Sequence, residues 1–451
     1  MRPPLHLHLP AHGRGRALAP ALAALLRERP GSWDLPELPT IGGPLLTGGA
    51  VADSQRRSAA LLGAEHCWFG VNGASGLLQV ALLAVAPPGS RVLLPRNLHR
   101  SLLHACVLGQ LEPLLFDLPF DAATGLWQQP SPQHLQRVID AACAGGPVAA
   151  VALVSPTYQG MAAALPQLAA VVHRAGLPLL LDGAHGRGEG LAAGADIEVL
   201  SLQKSAGGLA QSAALLAQGP RVAWQSIARA LLWLQTSSPS ALLLASAEAA
   251  IDELCSAAGQ RRRQRAVAVA ARLRAHCQTL GLPLVASDDP LRLVLHTGAL
   301  GINGLAADDW LMERGVIAEL PEPATLTFCL GQIPPPGVCR RLPPLLRELR
   351  ASLGGAPLAA IERPPLPLVG ELAMPIGTAW RATNRPIPLA EASGQIAAEP
   401  VCPYPPGIPL LVPGERIDPA RAAWLQRQST LWPGQIADTV RVVAAQERSG
   451  R

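Results

Sequence analysis

Short, mostly apolar runs recur through the first part of the chain, separated by longer stretches in which apolar and polar positions follow a helical period. The runs are Arg91–Leu94, Leu114–Phe116, Val148–Val154, Pro178–Leu181 and Glu198–Leu200. Strands covered on both faces show continuous apolar runs rather than alternation, and the spacers are long enough for crossover helices. Residues 51–275 are therefore expected to form an α/β large domain, a mostly parallel sheet with helices on both faces. Residues 1–50, rich in Pro, Gly and His around one helical stretch at Ala17–Arg29, read as an N-terminal arm packed onto something else. The Ala- and Leu-rich segment 240–275 reads as one long helix that bridges to a smaller α+β domain over 276–353, with strands at Leu291–His296 and Thr325–Leu330. A Pro-rich linker, 354–367, leads to a last domain over 368–451.

Composition narrows the class. With 49% hydrophobic and only 15% charged residues over 451 positions, the chain has material for a large core and for surface buried between subunits. An oligomer is favoured over a heavily solvated monomer on that basis. The net charge of +5 is spread along the chain, and the one dense basic run, Arg261-Arg262-Arg263-Gln264-Arg265, follows a helical pattern and reads as a solvated face. Aromatic residues at 3% offer no stacking platform, so no nucleic-acid partner is expected. The uncharged stretch 143–172 is broken by Gly145, Gly146, Pro147, Pro156, Gly160 and Pro166, so no membrane span is expected. The start, Met1-Arg2-Pro3-Pro4, lacks the pattern of a signal peptide, and eight scattered cysteines without a Cys-x-x-Cys pair indicate neither disulfide framework nor metal site. A reducing cytoplasm fits best.

The candidate chemistry lies in two residues. Leu179-Leu180-Leu181-Asp182 is an apolar strand ending in an acid, and Lys204 follows a second short strand and Ser201-Leu202-Gln203. Pyridoxal phosphate chemistry requires this pair: a lysine amine for the imine and a carboxylate that keeps the ring nitrogen protonated, so the ring acts as an electron sink. Ala184 would offer a small apolar face to the ring. The turn Asn72-Gly73-Ala74-Ser75-Gly76 opens a helical pattern, and its backbone N–H groups with the Ser75 hydroxyl make an anion site; Ser201 adds a hydroxyl. His99, just after a strand, is placed to stack on the opposite face of the ring. Each has a plainer reading, as helix cap, surface lysine, ordinary helix start or structural histidine. The glycine-rich His185-Gly186-Arg187-Gly188-Glu189-Gly190 is not a dinucleotide loop, because Leu191 stands where the third glycine belongs.

The motifs together resemble the Orn/Lys/Arg decarboxylase family of fold type I pyridoxal phosphate enzymes, in its short bacterial form. His6-Leu7-His8-Leu9-Pro10-Ala11-His12-Gly13-Arg14-Gly15 resembles the family's F-H-x-P-G-H-K-x-G opening, and Pro95-Arg96-Asn97-Leu98-His99-Arg100-Ser101 its P-R-N-x-H-K-S. Ser155 to Gly160 is similar to T-P-T-Y-x-G, and Tyr404 to Pro409 with Pro413-Gly414-Glu415 to Y-P-P-G-I-P and P-G-E. The resemblance implies an aspartate-aminotransferase-like large domain, a bound pyridoxal 5'-phosphate, and decarboxylation of arginine, lysine or ornithine to a polyamine-pathway amine. It implies Lys204 as the Schiff-base lysine, Asp182 as ring-nitrogen partner, His99 as stacking imidazole, and Gly73, Ala74, Ser75 and Ser201 at the phosphate. Ala184, His185 and Gln203 would border the cofactor, and Ser212 would reach the partner subunit's site across a dimer interface. Two departures bear on chemistry: Gly183 replaces the Glu of D-E-A-H-G, and Gln203 replaces the His of S-T-H-K, a group able to move protons. Altered chemistry, as in an aminotransferase or another lyase, and a non-catalytic paralogue are the alternatives. Glu319 and Glu399 are candidate acids for a basic side chain.

Overall fold

The computed structural model describes residues 3–402, 408–432 and 436–444; the Pro403–Gly407 part of the C-terminal motif lies outside the described residues. Its centre is an eight-stranded sheet in the order Val369–Gly370, Glu112–Phe116, Arg91–Pro95, Val148–Val154, Leu179–Asp182, Ile197–Ser201, Ala213–Ala217 and His66–Gly70. Pairing is parallel from Glu112–Phe116 through Ile197–Ser201. Ala213–Ala217 runs antiparallel to both neighbours, and Val369–Gly370 antiparallel to Glu112–Phe116. Successive side chains enter opposite layers: Leu179, Leu181 and Leu200 join one core with helices Pro132–Ala144 and Leu165–Arg174, while Leu180 and Val199 join another with Gly73–Val85 and Arg100–Gly109. Both faces being covered, the strands need no polar positions.

The single helix expected over 240–275 is two, Ala241–Cys255 and Ala257–Thr279. Ser256 breaks them: its backbone is extended (φ −71°, ψ 151°) and its hydroxyl accepts the Gly259 N–H at 3.0 Å, which starts a new helix. Of the helical stretch expected at Ala17–Arg29, Pro20–Leu25 is an α-helix. Leu5–His6 pairs in parallel with Val316–Ile317 as a separate two-stranded sheet, and the Leu7 carbonyl accepts the Cys329 N–H at 2.7 Å, so the arm packs on its own chain. Cys329 belongs to a four-stranded sheet of order Leu284–Val285, Arg292–Leu295, Thr325–Cys329, Leu320–Glu322, all antiparallel.

Two of the sequence motifs meet at a buried ion cluster. Arg96, fully buried, holds Glu415 through both nitrogens of its fork, Nη1 to Oε2 at 3.0 Å and Nη2 to Oε1 at 2.5 Å. Arg421 Nη1 donates to the same carboxylate at 3.1 Å. Burial alone would push the Glu415 carboxyl up, but the two guanidiniums more than offset it and hold it below its ordinary range. The Pro95-Arg96-Asn97 loop is thereby fixed to the C-terminal segment, and His99 is three residues along that loop.

Candidate active site

A cavity of about 500 Å3 opens at the carboxyl edge of the sheet, where open α/β sheets place their ligands. Asp182 ends its strand, and Lys204 lies on the single helical turn Leu202–Ser205 that follows Ile197–Ser201. Gly73, Ala74 and Ser75 begin the helix Gly73–Val85, which has no side-chain cap, and His99 caps Arg100–Gly109 by accepting the Ser101 N–H at 3.3 Å. All of these line the cavity, as do Ala184, His185, Ser201 and Gln203. Ser212 does not. It is buried within the single chain, donating to the Leu209 carbonyl at 2.7 Å and accepting from Ser246 at 3.3 Å, while its neighbour Gln211 faces the same chain's cavity.

Burial dominates the electrostatics. It pushes the Asp182 carboxyl up, against the Ala184 N–H bonded to Oδ1 at 3.1 Å and the charge of Lys204. Lys204 is pushed down by burial, with Asp182 and Glu319 opposing. His99 falls to about 4 through burial and then the nearby Lys204, so it is a neutral flat ring at physiological pH. His185 lies well below its ordinary value for the same reasons, with Arg292 adding to them. Its Nε2 is 3.2 Å from Lys204 Nζ, and the Tyr158 ring packs against it at 4.2 Å.

The acids sort differently from expectation. Glu399 is a half-exposed ion-pair partner of Arg441, and the cavity lining does not include it. Glu319 accepts the Leu9 N–H at 2.7 Å, tying down the N-terminal arm. The glutamate on the cavity wall is Glu322, which the sequence pattern did not single out. Gln159 Nε2 donates to both of its oxygens at 3.0 Å, Thr325 donates at 2.9 Å, and burial raises its carboxyl to about 7. The signal was period two: Leu320 and Glu322 face the cavity together from one strand. A second signal was also present in the sequence. Lys204 is the one lysine among 37 Lys and Arg residues. Arginine serves every other basic position, but a guanidinium cannot take the place of a primary amine in imine chemistry.

Both departures have a structural setting. A Cβ on Gly183 would lie 2.7 Å from Glu198 Oε1, so the carboxylate of Glu198 occupies the space a side chain at 183 would need. Glu198 is buried, accepts the Gly190 N–H at 2.9 Å and is raised to about 7 by burial. Gln203 lines the cavity, and its carbonyl accepts the Ala11 N–H at 2.8 Å, linking the opening motif to the site.

The donor set fits pyridoxal phosphate. Asp182 is 4% exposed yet makes one hydrogen bond and no ion pair among the described residues, which suits a cationic ring nitrogen. Asn97 Oδ1, on the cavity wall, is buried without a partner among those residues. The uncapped helix start suits a phosphate.

Comparison with known proteins agrees. The Orn/Lys/Arg decarboxylase major-domain model matches residues 6–286, and the C-terminal-domain model of the same family matches 375–434. The arginine decarboxylase of Bacillus subtilis is 29% identical over 442 residues, spanning 92% of this chain and 89% of its own. That of Halalkalibacterium halodurans is 28% identical over 451 residues, spanning 94% and 90%. Lysine decarboxylase A from Pseudomonas aeruginosa superposes with a TM-score of 0.75 at 18% identity, over 96% of this chain and 82% of that one, which shows a shared fold. With both family domains matched in order around one cavity, the chain belongs to the Orn/Lys/Arg decarboxylase family, pyridoxal-phosphate-dependent enzymes that decarboxylate basic amino acids.

Proposed function

We propose that arginine is the substrate and that the products are carbon dioxide and the corresponding amine. The observation that carries this reading is Glu322, a carboxylate presented to the cavity and held by Gln159 across both oxygens, suited to a planar guanidinium. The arginine decarboxylases that align over nearly the whole chain support it. Lys204 would hold the cofactor, with Asp182 available to its ring nitrogen and the neutral His99 ring available to its face. Gly73, Ala74, Ser75 and Ser201 would receive the phosphate. Bound there, pyridoxal phosphate supplies the sink for the electron pair released when the bond from Cα to the carboxylate breaks. Trp127 and Ile408 form an apolar part of the wall and restrict water. Gln203 cannot return the proton the product needs; His185 and Lys204, 3.2 Å apart, are protic groups on that wall.

We also read the chain as a homodimer or larger assembly in the cytoplasm, its product entering polyamine synthesis. The exposed Leu232 and Trp233 on helix Trp224–Leu234 support an assembly. Among the described residues no helix is long and apolar enough to cross a membrane.

Purified protein with cofactor, given arginine, lysine and ornithine separately, tests the reading. Amine and carbon dioxide from arginine are expected. Keto acid would instead identify an aminotransferase, and no turnover of any of the three a non-catalytic paralogue.

Glu322→Gln is expected to raise KM for arginine about 10–100-fold, the worth of a hydrogen bond to a charged group. A KM unchanged within twofold would remove Glu322 from the substrate pocket. The sign of the pH effect follows from its raised carboxyl. Below about 7 the free enzyme carries the neutral acid, so kcat/KM for arginine should rise as pH increases through that value. In Glu322→Gln that rise should flatten.

A further inference from the structure

His185 stands between two groups whose demands on its ring conflict unless one of them gives up a proton. Its Nδ1 is 3.3 Å from Arg292 Nη2, and its Nε2 is 3.2 Å from Lys204 Nζ. A guanidinium only donates. Nδ1 must therefore offer its lone pair, and a neutral imidazole then carries its one proton on Nε2. That N–H donates in turn, and Lys204 can receive it only as an amine with a free lone pair. An ammonium at Lys204 would leave two donors facing each other, or an imidazole with no proton at all. A charged imidazolium would set a second N–H against the guanidinium inside a buried site.

We propose that Arg292 is a positioning residue: it fixes His185 as the Nε2–H tautomer and, through that ring, holds Lys204 as the free amine. This rests on the reading of Lys204 as the cofactor's lysine, since the amine is the form that can attack a carbonyl carbon. Arg292 is well fixed for the task. It is 3% exposed in its strand, its Nε donates to the Tyr158 carbonyl at 3.3 Å, and Asp289 lies 3.8 Å from Nη1. The charged neighbours divide. Asp182, Glu319 and Cys329 favour the ammonium, as does the Tyr158 ring 4.9 Å from Nζ, whereas burial and Arg292 favour the amine. Around His185, Lys204, Arg292 and His99 all oppose a charged ring. The arrangement also brings an imidazole N–H to the lysine of a chain whose residue 203, His in the family pattern, is Gln.

The solitary lysine makes the test direct. The full chain, freed of cofactor and labelled with 13C at lysine Cε, gives one side-chain lysine signal, whose titration reads Lys204. Histidine labelled with 15N reads the tautomer, and loss of signals in His185→Phe identifies that ring. We expect His185 to carry its proton on Nε2 and Lys204 to titrate below an ordinary lysine. In Arg292→Met, His185 should shift to a mixture of tautomers and the Lys204 midpoint should rise by about one pH unit or more. A wild-type His185 protonated on Nδ1 overturns the proposal, and this result needs no variant to fold. A raised Lys204 midpoint with an unchanged tautomer also overturns it, because Arg292 would then act through its charge alone. Neither readout involves turnover. The cofactor reading fails separately, if the absorbance of bound cofactor survives loss of Lys204.

Discussion

Lys204→Ala is expected to abolish the visible absorbance of lysine-bound cofactor and to reduce turnover by about 10^4-fold or more, the scale seen when a covalent catalyst is removed. The expectation is unusually clean in this chain. Lys204 is its only lysine, so no neighbouring side-chain amine can substitute. The carbon framework it leaves behind is small and faces an existing cavity, so the fold should persist. The check is a spectrum of the variant incubated with cofactor, alongside assay of carbon dioxide release. A band at wild-type position and strength would show that another group holds the cofactor and would sink the assignment.

Asp182→Asn ranks second, with turnover expected to fall about 10^2–10^3-fold while the cofactor band remains. Asparagine keeps the shape and can still accept the Ala184 N–H, but it carries no charge. In the buried site Asp182 has its carboxyl pushed up by desolvation, with Lys204 only partly offsetting this. A cationic ring nitrogen is the partner that restores the charged form, and the carboxylate in turn keeps that nitrogen protonated. Without the charge the ring is a weaker electron sink. A cofactor methylated on the ring nitrogen, permanently positive, should recover part of the lost rate in Asp182→Asn. If the variant turns over at the wild-type rate with the natural cofactor, Asp182 does not have this role.

What the sequence made legible was local and periodic. The five apolar runs became five adjacent strands because both sheet faces are covered, and Asp182 and Lys204 were visible because strand ends carry ligands. The residues that were missed depend on distant partners. Glu322 is an ordinary acid until Gln159, 163 positions away, is folded against it. Arg292 meets His185 across 107 positions, and nothing near Asp289 announces the contact. Gly183 looked like the loss of a carboxylate, whereas Glu198 brings one into the same space from the next strand. Of the adjacent pair Gln211 and Ser212, a turn presents Gln211, at φ 74°, to the cavity of the same chain. Ser256 was the opposite case, a serine cap plainly written inside an Ala-rich stretch and overridden by its apolar period.

The single lysine also turns the chain into a gauge of its own opening. A protease that cuts after lysine has one bond to attack, between Lys204 and Ser205, on a helical turn flanked by the buried Leu202 and Ser205. Such enzymes need several residues of extended, accessible backbone, which this turn does not offer while the cavity floor is intact. Cleavage into two pieces therefore reports the fraction of molecules in which the carboxyl edge of the sheet has come apart. Anything that fills the cavity and steadies that edge should slow the cut in proportion to how tightly it binds.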